Sequence, residues 1–148
     1  MMKCAVDLHI HSCLSPCADD DMTPCNIAGM AYVKHLDCIA LTDHNAAENL
    51  PAAALAGVCL LPGIEVTSSE EVHILCYFPA VDPAVDFGRM IYDHLPPLPN
   101  NKRIFGNQMI LGPEDEAQGE LSKLLIQATD LSIVEIERRC TEAGGICV

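Results

Sequence analysis

Three short apolar segments in the first half of the chain each run into a side chain that can bind a metal ion. Residues 4–6 lead to His9 and His11, residues 38–41 lead to His44, and residues 58–61 lead to Glu65. Alternate residues of a β-strand point to the same face, so the two imidazoles of the first segment would leave a strand end side by side. Three strands that finish in this way predict a metal site at the carboxyl ends of barrel strands in an α/β fold.

The spacing of these segments predicts strands that alternate with helices. Strands are expected at residues 3–10, 37–42 and 58–66, with helices at about 23–35 and 46–56. Such alternation is typical of a parallel sheet built from βα units. A fourth strand, at residues 72–78, follows after a link that is too short for a parallel crossover, which predicts a hairpin-like turn. That turn would return His73 to the end of the sheet where Glu65 lies.

The second half of the chain has a different character. Several prolines indicate irregular structure around a helix at 84–94, with an extended surface loop or insertion at about 96–117. Further helices are expected at about 118–128 and 132–143. Ser132 with Glu135 three residues later is a capping-box pattern, and Gly144 is expected to end the last helix. The last three residues begin another apolar strand. We therefore expect one domain over residues 1–148 that is the front portion of a longer fold, truncated at its carboxyl end.

The net charge of the chain limits the kinds of molecule that it is expected to bind. There are 21 Asp and Glu residues against 8 Lys and Arg, which gives a formal net charge of −13. Nucleic acid is usually held by Lys and Arg on its phosphates, so an extended nucleic-acid surface is disfavoured. A small phosphorylated substrate remains compatible, because bound metal ions supply local positive charge. The sequence has no run of membrane-spanning length and no recognisable leader, so we expect no membrane contact and a cytoplasmic location. It does not indicate an oligomeric state.

Nine cysteines, an odd number without a regular CxxC pair, do not resemble a secreted disulfide framework. Those inside apolar segments are interpreted as small buried hydrophobic residues: Cys38, Cys59 and Cys76. An iron–sulfur cluster is the alternative for the group that follows the histidine pair, but its spacing matches no common cluster pattern: Cys13, Cys17 and Cys25.

Imidazole and carboxylate ligands suit Zn, Mn, Fe or Ni without selecting one. Two or three divalent ions are expected, because a carboxylate such as that of Glu65 can bridge two of them. Ions of this kind bind phosphate oxygens and turn a bound water into hydroxide at neutral pH, so no side-chain nucleophile is needed. Ser12 and Ser15 are then structural. Asp7 and Asp43 are expected to stand behind the ligands and orient them, although Asp7 is also consistent with a simple strand-entry residue.

Four segments together resemble successive motifs of the PHP (polymerase and histidinol phosphatase) superfamily. They are Asp7-Leu8-His9-Ile10-His11-Ser12, Leu41-Thr42-Asp43-His44-Asn45, Gly63-Ile64-Glu65-Val66-Thr67, and His73-Ile74-Leu75-Cys76-Tyr77-Phe78. The resemblance covers residues 3–79 well and the remainder weakly. It implies a distorted (β/α)7 TIM-like barrel with a trinuclear metal centre, and a hydrolase that acts on phosphoesters.

The resemblance also assigns roles to the matching residues. His9 and His11 would hold a first metal, Glu65 would bridge it to a second that His73 also binds, and His44 would bind a third. Catalysis would proceed through water bound to the metals at His9, His11, Glu65 and His73.

The chain departs from the family pattern in two places. Where many members have Ser-Asp-Gly, with the Asp on the third metal, this chain has an acidic run, so the ligand is expected to be Asp19, Asp20 or Asp21, or less favourably Cys17. The family's later histidine and its Asp-x-His pair are absent. A chain without those three ligands is expected to bind fewer ions than a longer form and to be slow or inert.

Three functions follow from this reading. The first is metal-dependent hydrolysis of a phosphoester, in a small phosphorylated metabolite or nucleotide, by a metal-activated hydroxide. The second is a degenerate or truncated PHP module with a binding or structural role and no catalysis. The third is a metal-dependent amide or ester hydrolase, since similar barrels carry that chemistry and a fold does not specify a function.

Overall fold

A computed structural model describes residues 3–16 and 18–148 of the chain. Its elements in chain order are β1 (Val6–Ile10), α1 (Pro24–Val33), β2 (Cys38–Leu41), α2 (Leu50–Leu55), β3 (Leu60–Thr67), β4 (His73–Tyr77), α3 (Val81–Asp93), α4 (Lys102–Phe105), β5 (Met109–Leu111), β6 (Ala117–Glu120), α5 (Ile133–Glu142) and β7 (Ile146–Cys147). No helix in the described ranges is long and apolar enough to cross a membrane.

The main sheet has five strands in the order β1-β2-β3-β4-β7. Strands β1, β2 and β3 are parallel, with Val6 opposite Cys38 and Ile39 opposite Leu60. The carboxyl ends of these three strands therefore lie along one edge of the sheet, as the alternation of strands and helices predicts. Helix α1, which follows β1, begins as predicted, because the Thr23 hydroxyl accepts a hydrogen bond from the backbone N–H of Asn26.

Strand β4 runs antiparallel to β3, which confirms the predicted turn between them. Thr67 at the end of β3 lies opposite His73 at the start of β4. The turn is closed by a hydrogen bond from the backbone N–H of Ser68 to the carbonyl of Val72. Since His73 follows the turn at once, it lies at the same edge of the sheet as the carboxyl end of β3.

The helices pack on one face of the sheet and leave the other face for the candidate site. The largest hydrophobic cluster includes Ile64 and Val66 of β3, Phe78, and Ile91 of α3. Within the described residues the fold is mixed α/β, and its main sheet does not close into a barrel. Strand β1 lies at the edge of this sheet, where Val6 is 47% and Leu8 is 39% exposed. The expected (β/α)7 barrel is thus present only as an open sheet of parallel and antiparallel strands.

The predicted helix at 118–128 is wrong. Residues 117–120 form β6 instead, which pairs antiparallel with β5, so that Ile110 lies opposite Gly119. The following backbone is held by Gln108, whose side chain is 1% exposed. Its amide N–H group donates to the carbonyls of Leu121 and Lys123, and its amide oxygen accepts from the N–H of Leu125. These buried hydrogen bonds satisfy the backbone of residues 121–125 without a helix.

The expected irregular insertion at 96–117 also contains regular structure, since helix α4 and strand β5 lie within it. The predicted capping of α5 is confirmed: the Ser132 hydroxyl accepts from the backbone N–H of Glu135. Gly144 follows this helix with a φ of 81°, the left-handed conformation that glycine adopts without strain.

Candidate metal centre

The carboxylate of Glu65 is the centre of a cluster of four imidazoles. Glu65 lies on β3 and is 5% exposed. The ring nitrogens near its two oxygens belong to His73 at 2.9 Å, His9 and His11 at 3.1 Å each, and His44 at 3.4 Å. The imidazoles and Glu65 come from the carboxyl ends of β1, β2 and β3 and from the start of β4. The structure therefore brings together the five residues that the sequence singles out as principal ligands.

Strand β1 delivers two of the imidazoles together. His9 and His11 are two residues apart, so both point to the same face, and their ring centroids are 5.0 Å apart. The His9 side chain is 47% exposed, whereas that of His11 is 21% exposed. One ligand thus lies at the mouth of the site and the other lies deeper. An open side of this kind leaves room for a substrate to reach a bound ion.

His44 is positioned by a short stretch of parallel pairing with Glu65. The N–H of Glu65 donates to the carbonyl of Asp43 at 3.0 Å, and the N–H of Asn45 donates to the carbonyl of Glu65 at 2.9 Å. Asn45 has a φ of 49°, which asparagine tolerates better than most residues. Its amide group also binds the N–H of Thr67 and the carbonyl of Leu125. This asparagine, which follows the His44 motif, therefore ties three segments around the site.

The buried Nδ1 atom of His44 has no hydrogen-bond partner among the described residues. It lies 3.4 Å from an oxygen of Glu65, without hydrogen-bond geometry. Burial, together with the neighbouring imidazole of His11, lowers the pKa of His44 to about 4. The ring is consequently neutral at pH 7 and keeps a free lone pair. A buried polar atom without a partner is costly, and a metal ion would satisfy this one.

Glu65 remains ionised although it is buried. Burial alone would raise its pKa, but hydrogen bonds from His11 and His9 and the field of His44 outweigh that effect and lower the pKa to about 2. Its ligand atoms form two compact groups, one with His9 and His11 and one with His44 and His73, and within each group all atoms lie within 4.8 Å of one another. Glu65 belongs to both groups, so this set of nitrogen and oxygen ligands, which suits divalent metal ions, is centred on its carboxylate.

Asp43 organises the loop behind the imidazoles. It is 2% exposed and accepts hydrogen bonds from the N–H and hydroxyl of Ser12 and from the hydroxyl of Ser15. Burial raises its pKa, while these serine hydrogen bonds oppose the rise. The Ser15 oxygen also lies 3.3 Å from Nδ1 of His11 and accepts from the N–H of His44. Asp43 thus positions the imidazole of His11 and the backbone of His44 through Ser15, whose role the sequence marked only as structural.

The remaining acidic candidates lie farther from the cluster. Asp7 is exposed and its carboxylate accepts the backbone N–H of His9 at 3.2 Å, so the contact expected with an imidazole is not formed. Asp20 is turned away, since it accepts from the amide of Asn107. Asp19 accepts from the N–H of Asp21 and lines a cavity of about 390 Å³ beside His9 and His11. Cys17 lies outside the described residues.

A second cavity opens on the other side of the centre. It measures about 290 Å³ and its lining includes Thr67, Glu71, His73 and Gln127. Among the described residues that line either flanking cavity, none is Lys or Arg. The described residues that line these two cavities therefore offer no lysine or arginine to an anion.

Comparison with known proteins shows similarity in structure alone. No family model and no curated protein matches the sequence. A protein from Bifidobacterium adolescentis, provisionally described as a metal-dependent phosphoesterase, superposes with a TM-score of 0.63 at 19% identity over 97% of this chain and 65% of its own. An amidohydrolase from Chromobacterium violaceum gives a TM-score of 0.62 at 21% identity over 96% of this chain and 65% of its own.

The third similar structure is a nuclease. The lesion-specific endonuclease Q of Pyrococcus furiosus superposes with a TM-score of 0.62 at 20% identity, over 96% of this chain and 33% of its own. A further endonuclease Q structure contains a DNA duplex with an abasic lesion at the active site. The chain thus spans 65% or less of the length of each similar structure. All four structures are 19–21% identical to this chain, so the comparison shows a shared fold and not a shared activity.

Proposed function

We propose that this chain, which has a PHP-type fold, is a metal-dependent phosphoesterase that acts on a small phosphorylated metabolite or nucleotide. The observation that supports this proposal most directly is the convergence of four imidazoles on the ionised carboxylate of Glu65. Together these side chains place imidazole nitrogens and carboxylate oxygens, both common metal ligands, within a few ångströms of one another. Divalent cations at the same place would satisfy all five ligands.

We assign one ion to His9, His11 and Glu65 and a second to His44, Glu65 and His73. Nitrogen and oxygen ligands of this kind suit Zn, Mn or Fe. Such ions, when bound, supply Lewis acidity toward phosphate oxygens and lower the pKa of water. The protein contributes the geometry: Asp43 and Ser15 hold His11, and the backbone pairing between His44 and Glu65 positions these two members of the second group relative to each other.

The two serines of the site do not serve as nucleophiles in this proposal. The hydroxyls of Ser12 and Ser15 both donate to Asp43, and both residues are 0% exposed. A serine nucleophile needs a base that takes its proton and access to the substrate. Hydrolysis is therefore assigned to water activated at the metal centre, in agreement with the amidohydrolase, phosphoesterase and nuclease character of the similar proteins.

The charge around the centre favours a small substrate over nucleic acid. Acidic groups at Asp7 and Asp19 lie on one side of the site and Glu71 lies on the other. A DNA backbone that crossed this surface would meet these carboxylates without lysine or arginine contacts, which normally provide most of the affinity. A single phosphate needs only the charge of the ions. Because endonuclease Q has a similar structure, DNA is nevertheless the control substrate of choice.

The test is to load the metal-free chain with Zn, Mn or Fe(II), remove excess ion, and measure metal content and hydrolysis. We expect retained metal and slow hydrolysis of an aryl phosphomonoester, because three ligands of the family pattern are absent from this chain, with little or no cleavage of duplex DNA that carries an abasic lesion. Retained metal without hydrolysis of any phosphoester would favour the binding role. Cleavage of the DNA in preference to the monoester would contradict the proposed substrate class.

Asp19 is the acidic residue that we propose as an additional ligand on the side of His9 and His11. Its carboxylate lines the cavity beside those two histidines. Asp19→Asn is expected to weaken binding of an ion by roughly 10-fold or more, as the loss of a supporting group at a metal site usually does. Metal content after dialysis against a graded chelator measures the effect. Asp21→Asn, two residues away and exposed, is the matched control, and an equal loss in both variants would contradict the assignment.

A further inference from the structure

Three cysteines form a second cluster, on the opposite face of the sheet from Glu65. Cys76 lies on β4, Cys147 on β7 and Cys140 on α5, and their sulfur atoms all lie within 4.8 Å of one another. Cys76 pairs with Ile64 across the strands, whereas Glu65 pairs with Leu75. Since neighbouring residues of a strand point to opposite faces, the thiols and the imidazoles belong to separate sites.

The spacing of the sulfurs matches that of a thiolate metal site. The sulfurs of Cys76 and Cys147 are 3.5 Å apart, because the two residues face each other directly across β4 and β7. In a tetrahedral site with metal–sulfur bonds of about 2.3 Å, the sulfurs are separated by about 3.8 Å. The three thiols therefore need only small side-chain adjustments to bind one ion. Close packing fixes Cys140 in this position, since a Cβ at Gly145 would lie only 2.7 Å from its sulfur.

The three thiols differ in their exposure to solvent. Cys76 and Cys140 are both 0% exposed, whereas Cys147 is partly exposed and gives an ion a path to the cluster. Thiolate is the form of cysteine that binds a metal ion, so binding of a cation at this cluster would release the protons of the thiols.

We propose that Cys76, Cys140 and Cys147 form a binding site for a thiophilic metal ion, distinct from the imidazole and carboxylate centre. Soft sulfur ligands select Cu(I) or Zn(II), and these two ions share the chemistry that the site offers. An ion held here would join α5 and β7 to β4, because each element supplies one ligand. The site would therefore stabilise the last part of the described chain against the sheet.

The test uses the reduced, metal-free chain and Cd(II), whose sulfur-to-metal charge-transfer absorption reports thiolate ligands and not imidazoles. We expect a band that saturates at one ion per chain, and Cys147→Ala is expected to weaken this binding by about 10-fold or more. Cys147 is chosen because it is the least buried of the three. Competition with Zn(II) and, under anaerobic conditions, with Cu(I) then identifies the ion that the site prefers.

The matched control removes the other close pair of thiols, Cys38 and Cys59, whose sulfurs lie 3.1 Å apart at the amino ends of β2 and β3. Cys59 is exposed, which corrects its sequence-based interpretation as a buried residue. Cys38→Ala/Cys59→Ala is expected to keep the band. Loss of the Cd(II) band in this double variant, or an unchanged Cd(II) affinity in Cys147→Ala, would overturn the proposal.

A second measurement needs no variant. In the wild-type chain, saturating Cd(II) is expected to slow alkylation of Cys147 while alkylation of the exposed Cys25 stays unchanged. Equal alkylation of Cys147 with and without Cd(II) would also overturn the proposal.

Discussion

Glu65→Gln is expected to release at least one ion from the imidazole centre and to reduce phosphoester hydrolysis by orders of magnitude, with the fold retained. Glutamine keeps the shape of the side chain and one oxygen ligand but removes the negative charge. Two cations that share this position would then repel each other without an anion between them. The amide nitrogen would also face His9, His11 or His73, where a carboxylate oxygen now lies within 3.1 Å of each ring.

Elemental analysis, aryl phosphate turnover and circular dichroism of the same preparation measure these effects. Glu114→Gln is the control, because this glutamate is exposed and lies in the turn between β5 and β6. Glu70, in the polar turn that follows β3, is a less suitable control, because its carboxylate accepts the backbone N–H of Ile133 at the start of α5. Normal metal content and normal turnover in Glu65→Gln would remove the bridging role and most of the proposed chemistry with it.

Asp43→Asn is expected to be the most destabilising single change in the loops behind the imidazoles. The carboxylate of Asp43 accepts three hydrogen bonds, from the N–H and hydroxyl of Ser12 and the hydroxyl of Ser15. An asparagine NH₂ group would place a donor against these donors. Leaving a buried donor without a partner costs about 1–3 kcal/mol, and more where a charged group is involved. Metal affinity should fall in parallel, since Ser15 would no longer be held against His11.

Urea unfolding of the metal-free protein measures the loss of stability without a contribution from bound ions. Asp93→Asn serves as the control, because Asp93 is an exposed residue at the end of α3 and should change stability by no more than about 0.5 kcal/mol. If Asp43→Asn unfolded at the same urea concentration as the wild type, the hydrogen bonds from Ser12 and Ser15 to Asp43 would contribute nothing to the free energy of unfolding.

Much of the candidate site could be predicted from the sequence because its ligands follow local rules. Alternation along a strand places His9 beside His11, and the short link after β3 returns His73 to Glu65. Strand alternation and a short turn each depend on a few consecutive residues, so both can be predicted without knowing the rest of the fold. The same reasoning predicted the capping of α5 by Ser132, where the side chain and its partner are three residues apart.

Tertiary contacts decided the remainder. The leucine pattern after residue 117 suits a helix, yet Gln108, 13 residues before Leu121, binds that backbone in an extended form. The choice among three consecutive aspartates depends on which one faces the cavity beside His9, and not on any difference in their chemistry.

The sequence by itself predicted which side chains gather at one edge of the sheet and which strand ends they occupy. Only the tertiary structure decided how those residues are held, through the buried contacts of Asp43, Ser15 and Asn45, because these hydrogen bonds join residues that are 22 to 82 positions apart. Local patterns are encoded within a few residues, whereas partners at such distances are chosen by the packing of the whole sheet.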